Sequence, residues 1–183
     1  VLEPARVLTF VRLRIAIVCI VLGMATTLCP AQRTLSSMPL VYTADNSQVD
    51  IVKLSHTQPL IVIRFLGSMC GHCMRQIVAL NERAPELRAL NARVVAFSNN
   101  PPAKCAEVVK QYSLDTSVVS VCSDADNACS KVLGTSITES DGSITDLHAI
   151  LLIDRGVIRY EHYSTVPLMA FQDVLKMLAR KPD

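Results

Sequence analysis

Tryptophan is absent from this chain, and phenylalanine and tyrosine leave only 4% of its residues aromatic. Proteins that hold single strands of nucleic acid stack bases on aromatic side chains, so that platform is missing. Charge of one sign is equally scarce. The formal net charge is +2, and Arg6, Arg12 and Arg14 against Glu3, all before Ala31, account for it. The remainder is balanced, with no basic stripe to track a phosphate backbone, so nucleic acid is not an expected partner. A tetrahedral zinc site needs four ligands. The only paired thiols besides Cys70 and Cys73 are Cys122 and Cys129, which are spaced more widely than a zinc knuckle and have no histidine cluster beside them. No internal repeat or low-complexity tract is present.

What is there fits one ordinary domain with a short extension: 183 residues, 50% of them hydrophobic, enough for a full core. The extension reads as an export signal. Arginines up to Arg14 precede an uncharged stretch at 15–29 and then Pro30-Ala31-Gln32. At 1.5 Å per residue that stretch falls short of a bilayer's roughly 30 Å hydrocarbon core, which favours cleavage near Ala31. The alternative is an uncleaved membrane anchor, lengthened by residues 7–11 if Arg12 and Arg14 snorkel. Residues 1–31 are thus expected to be a signal peptide or N-terminal membrane tether, and 32–183 the working domain. The expected location is exported, periplasmic or otherwise outside the cytoplasm. Cys19 and Cys29 fall in the leader and leave five of seven cysteines in the domain. An odd number in an oxidising compartment implies a free thiol or a bond to another chain.

Cys70-Gly71-His72-Cys73 carries the chemistry. It follows the apolar run Leu60-Ile61-Val62-Ile63 and precedes a helical pattern, the context of a redox pair rather than a zinc knuckle or a chance pair. Residues three apart share a helix face, so the two sulfurs can close a small disulfide. Unpaired N–H groups and the positive end of the helix dipole favour a thiolate there, and the thiolate is the nucleophile of disulfide exchange. Cys70, nearer the helix start, is the expected attacking sulfur, and Cys73 the resolving one.

The rest of the chain reads as short strands at 40–43 and 49–54 around the turn 45–47, then a buried central strand at 60–66. The helix after the thiols shows Ile77, Leu80, Ala84 and Leu87 on one side, with Pro85 expected to kink or split it. A parallel strand at 94–98, a helix at 103–112 with Pro102 near its first turn, and a strand at 118–121 follow. A helix entered at 124–126 should stop at Gly134, and 135–146 should be a loop. Strands at 149–153 and 157–163 flank Asp154-Arg155-Gly156 as a hairpin, and a last amphipathic helix covers 167–179. This order defines an α/β fold with the thiols at the C-terminal end of the central strand, where active sites of open sheets collect.

From about Pro59 to Leu178 the chain resembles the thioredoxin-like superfamily, in particular the branch of alkyl hydroperoxide reductase and thiol-specific antioxidant (AhpC/TSA) proteins and the exported thioredoxins of cytochrome maturation. Residues 62–73 carry the specific part; 93–98 and 151–158 support it. The resemblance implies a thioredoxin-like fold, a central mixed sheet flanked by helices, and a thiol-disulfide oxidoreductase needing no metal or organic cofactor. Its implied partners are protein or small-molecule disulfides and thiols, or peroxides if it acts as an antioxidant thiol peroxidase. A third reading is a non-catalytic module of the same fold. The Gly71-His72 dipeptide is the one seen in protein disulfide isomerases, whose potential lies near about −180 mV against about −270 mV for thioredoxin. A protonated His72 would favour the Cys70 thiolate and make the disulfide a better oxidant; an exposed histidine without a role is the alternative.

Four departures matter. Met69 stands where thioredoxins often carry tryptophan. Arg64 stands where they bury a carboxylate, and would either support a thiolate or point to the other face of the sheet. Leu147-His148-Ala149 replaces the usual cis-proline loop, so His148 is expected either to face the disulfide or to be a plain loop histidine. Gly67 occupies the place of the threonine with which peroxiredoxins orient peroxide. Cys105 reads as a buried small hydrophobe. Cys122 and Cys129, separated by a turn and a helix start, are candidates for a second disulfide, which spacing alone leaves open.

Overall fold

The computed structural model describes residues 33–164 and 171–180; the expected export signal and residues 167–170 of the expected last helix lie outside the described residues. In chain order the elements are β1 (Val41–Thr43), β2 (Gln48–Val49), α1 (Ile51–Ser55), β3 (Leu60–Arg64), α2 (Gly71–Asn81), α3 (Ala84–Ala89) and β4 (Arg93–Ser98). There follow α4 (Pro102–Gln111), β5 (Val119–Ser123), α5 (Ala128–Leu133), β6 (Ser136–Thr138), β7 (Ile144–Asp146), β8 (His148–Asp154), β9 (Val157–Ser164) and α6 (Phe171–Ala179). Among the described residues no helix is long and apolar enough to cross a membrane.

Seven strands form one mixed sheet in the order β2-β1-β5-β4-β3-β8-β9, and β6 pairs with β7 apart from it. β3 pairs in parallel with β4, and β4 with β5; β8 runs antiparallel to β3, with Leu60 opposite Ile153 and Arg64 opposite Ala149. Both faces of β3 are covered, and all five of its residues are buried. Strand side chains alternate between faces. Ile61 and Ile63 pack with Cys73, Ile77, Leu80 and Val174 on one side, whereas Leu60 and Val62 pack with Ile51, Cys129 and Leu133 on the other. The sheet therefore divides the protein into a layer that holds the dithiol helix and a layer that holds α1 and α5.

Two expectations are corrected. Residues 49–54 are not a strand: β2 ends at Val49, and Asp50 caps a short helix, its Oδ1 accepting the Lys53 N–H at 2.9 Å. A capping aspartate outweighs the β-branched Ile51-Val52 pair, whose side chains are buried just as well on a helix face. Residues 135–146 are not a plain loop, because Ser136 pairs with Asp146 and Thr138 with Ile144 across a hairpin. One isoleucine in each three-residue strand, Ile137 and Ile144, is too little alternation to mark a strand amid polar residues.

Other readings hold. The helix after the thiols breaks between Asn81 and Ala84, with Pro85 in the first turn of α3, where its missing N–H has no partner to lose. Gly134 ends α5 at φ +72°. The β8–β9 turn places Arg155 and Gly156 at φ +51° and +74°, a two-residue hairpin matched to the strand twist. Ser55 clamps that turn, its carbonyl accepting Arg155 N–H at 2.8 Å and its hydroxyl oxygen accepting Gly156 N–H at 2.9 Å.

Candidate active site: the Cys70–Cys73 dithiol

β3 ends at Arg64, and residues 65–70 carry the chain to the start of α2. Gly67 sits at φ +109°, and a Cβ there would lie 3.3 Å from Asn100 Oδ1. Its carbonyl accepts the Cys70 N–H at 3.1 Å, which turns the chain into the helix. Cys70 is then the N-cap of α2, in extended conformation, and its Sγ accepts the Cys73 N–H at 3.3 Å. One of the helix's unpaired donors thus points at the sulfur expected to carry negative charge.

Cys70 and Cys73 are joined as a disulfide with their Cα atoms 5.3 Å apart. Cys70 is half-buried and Cys73 fully buried, so the first sulfur is the more accessible of the two. Among the described residues the surface above them is open. A Cβ added to Gly71 would meet nothing within 4 Å, and Met69 is 96% exposed.

His72 is exposed, and its Nδ1 lies 2.6 Å from the Arg75 guanidinium one turn further along α2. A guanidinium has no acceptor atom, so Nδ1 accepts and the ring proton sits on Nε2. The contact holds the Arg75 guanidinium against the imidazole near the head of α2. The sequence reading passed over Arg75, although its spacing of three from His72 was a signal.

Arg64 does not face the thiols. It is fully buried in the layer of α1 and α5, where Nη2 approaches Asp146 Oδ2 at 2.7 Å and Nη1 donates to the Phe65 carbonyl at 2.8 Å. Its Nε donates to Ser130 Oγ at 3.3 Å. The contact with Asp146 is short but off hydrogen-bond alignment, so it acts as an ion pair rather than a directed bond. Ser130 in turn donates from N and Oγ to Asp124 Oδ2, at 2.8 and 2.7 Å. Nothing in local sequence pointed to Asp146, because only the assembled fold brings it to Arg64, whereas Asp124 reaches Arg64 only through Ser130.

His148 begins β8, is 1% exposed, and shares a face with Ile150 and Leu152, which pack in the layer that contains Cys73. It is therefore no loop histidine. Burial first, then the charges of Arg64 and His162, push its pKa down to about 4, so the ring is neutral at physiological pH. Its Nε2 is buried without a hydrogen-bond partner among the described residues.

Cys122 and Cys129 form no disulfide; they and Cys105 are buried free thiols. The Cys129 Sγ donates to the Pro39 carbonyl at 2.9 Å, an alternative to pairing. Burial pushes Cys105 up to about 11, and Cys122 and Cys129 up to about 12. Of the five domain cysteines, only the pair at the head of α2 is placed for chemistry.

A mixed sheet with helices on both faces, and a vicinal dithiol at the helix after its central strand, define a thioredoxin-like redox protein. Residues 37–161 match the AhpC/TSA family, and the chain belongs to that family. No curated protein matches it. Among solved structures it is similar to peroxidoxin BcpB from Mycobacterium tuberculosis, at 17% identity and TM-score 0.71, covering 82% of this chain and 97% of that one. It is also similar to the Xanthomonas campestris bacterioferritin comigratory protein, an alkyl peroxide reductase, at 12% identity and TM-score 0.69 over 80% and 97% of the two chains. Reduced Prx3 from Vibrio vulnificus, solved with hydrogen peroxide, is similar at 14% identity and TM-score 0.67 over 80% and 94%. At these identities the likeness establishes a shared fold.

Proposed function

We propose that this protein is an exported thiol-disulfide oxidoreductase. The observation that carries the reading is the Cys70 sulfur, half-buried at the N-cap of α2, bonded to a fully buried Cys73 and accepting its N–H. In the reduced protein the Cys70 thiolate attacks a partner disulfide, a mixed disulfide forms, and one partner thiolate leaves. Cys73, deprotonated, then attacks the Cys70 sulfur, expels the second partner thiol and closes the protein disulfide. Two electrons pass to the partner, and the reverse sequence oxidises dithiols. The leader pattern supports action outside the cytoplasm, and a membrane tether is the alternative for those same residues.

Family membership and the peroxide-related neighbours favour a second reading, a thiol peroxidase. There Cys70 takes one peroxide oxygen to become a sulfenic acid, releasing an alcohol or water, and Cys73 condenses with it to give the disulfide and water. Gly67 argues against it, since φ +109° would strain the threonine that peroxiredoxins place at that position.

The purified protein, supplied with dithiothreitol, is offered insulin disulfides and, separately, hydrogen peroxide, beside Cys70→Ser and Cys73→Ser. Insulin reduction lost in Cys70→Ser, with a mixed disulfide trapped on Cys73→Ser, supports the exchange reading. Peroxide consumption without insulin reduction replaces it with the peroxidase, and inertness in both assays leaves only a non-catalytic module.

A further inference from the structure

Between Asp50 and Glu82 the sequence contains no acidic residue, and that stretch holds β3, the approach to the thiols and all of α2. The loop at 99–102, whose Asn100 lies against Gly67, adds none. Among the described residues of this stretch, two positive contributions lie at the head of α2. One is the N-terminus of α2, an eleven-residue helix with no acid in its first turn. The other is Arg75, whose side chain leans back toward the helix start, as helical side chains do. There it meets His72 Nδ1 at 2.6 Å rather than a carboxylate. Arg64 adds little, because its charge is balanced by Asp146 across the sheet.

We infer that Arg75, held by His72, selects anionic substrates, so that the preferred partners of the dithiol carry a carboxylate close to the reacting sulfur. The inference rests on the exchange reading above and names its substrate class. Arg75 and Cys70 lie about one and a half helical turns apart, roughly 7.5 Å of axis, which is inside the screening length of about 10 Å in 0.1 M salt. The guanidinium therefore acts on an arriving disulfide before any sulfur bond forms. A carboxylate that reaches it exchanges water for a planar, bidentate donor. Attack on an anionic disulfide expels an anionic thiolate next to the same charge, so the preference appears in the rate of mixed-disulfide formation.

The test uses three small disulfides of similar size: dithiodipropionate, which is anionic; 2-hydroxyethyl disulfide, which is neutral; and cystamine, which is cationic. The reduced full-length protein and Arg75→Gln are mixed with each, quenched by alkylation and read by mass. The wild type is expected to oxidise faster with dithiodipropionate than with cystamine by about fivefold beyond the ratio shown by a free thiol. That excess should shrink at least by half in Arg75→Gln and collapse toward one in 1 M salt. His72→Ala, which frees the guanidinium, should reduce the excess less than Arg75→Gln does. An equal excess in Arg75→Gln, or none in the wild type, overturns the inference and leaves the exchange reading standing. No reaction with 2-hydroxyethyl disulfide overturns the exchange reading itself, and this inference with it.

Discussion

Replacing Asp146 by asparagine should destabilise this domain by about 2–4 kcal/mol, although Asp146 lies far in sequence from the central strand. Asp146 Oδ2 is 2.7 Å from Arg64 Nη2, and the arginine side chain is 0% exposed against 26% for the aspartate. At an effective dielectric near 20, two unit charges about 4 Å apart attract by about 4 kcal/mol. The neutral amide removes that attraction and leaves a guanidinium in the interior, whereas the partial solvation of Asp146 keeps the loss below the upper range for buried pairs. With a urea m-value of about 2 kcal/mol/M, the midpoint should fall by about 1–2 M. The assay is far-UV circular dichroism in urea, because no tryptophan is available to report unfolding. The companion variant, Arg64→Met with Asp146→Asn, removes the orphaned charge and should recover at least half of the lost stability. It still gives up the bonds from Arg64 to Phe65 and Ser130, worth about 1 kcal/mol each. A loss below about 0.5 kcal/mol for Asp146→Asn, or a double variant weaker than the single, would refute the account of this pair.

Acidification probes His148, whose native pKa of about 4 lies below the ordinary 6.5. Between those values the unfolded chain binds a proton that the native protein refuses, so stability falls as pH drops through the window and levels off below it. The contribution is at most about 3 kcal/mol, and His148→Leu should show a visibly shallower decline between pH 7 and 5 in the same urea assay; matching slopes would refute it. Thiol labelling separates the cysteines: Cys105, Cys122 and Cys129, all buried and shifted upward, should resist N-ethylmaleimide in the folded protein. Reduction should open Cys70 to the reagent first, and labelling of the three buried thiols at a comparable rate would contradict the assignment of reactivity.

Much of this was legible in the sequence because the signals were local. A β-branched run, a Cys-x-x-Cys pair and apolar residues at helical spacing fix β3, the thiols and α2 without reference to the rest of the chain. Gly134, Pro85 and Asp154-Arg155-Gly156 likewise announce their turns through backbone chemistry alone. The misreadings occurred where local signals conflict or are silent. Asp50 capping decides for a helix against the β preference of Ile51-Val52, and each three-residue strand of the β6–β7 hairpin has a single isoleucine, too little to show alternation. The Arg64–Asp146 pair, the burial of His148 and the bond from Cys129 to the Pro39 carbonyl depend on the assembled fold, which no single segment encodes. Arg75 was visible three residues beyond His72, but its importance depends on the imidazole presenting a lone pair to it.

The bond from the Cys73 amide to the Cys70 sulfur turns one proton into a gauge of oxidation state. When the disulfide opens, that acceptor changes from a bonded sulfur to a thiolate or thiol, and the nuclear resonance of this single amide must move with it. In a protein without an indole to watch, isotope labelling of cysteine nitrogen would let a titration with glutathione be followed at the reacting atoms themselves.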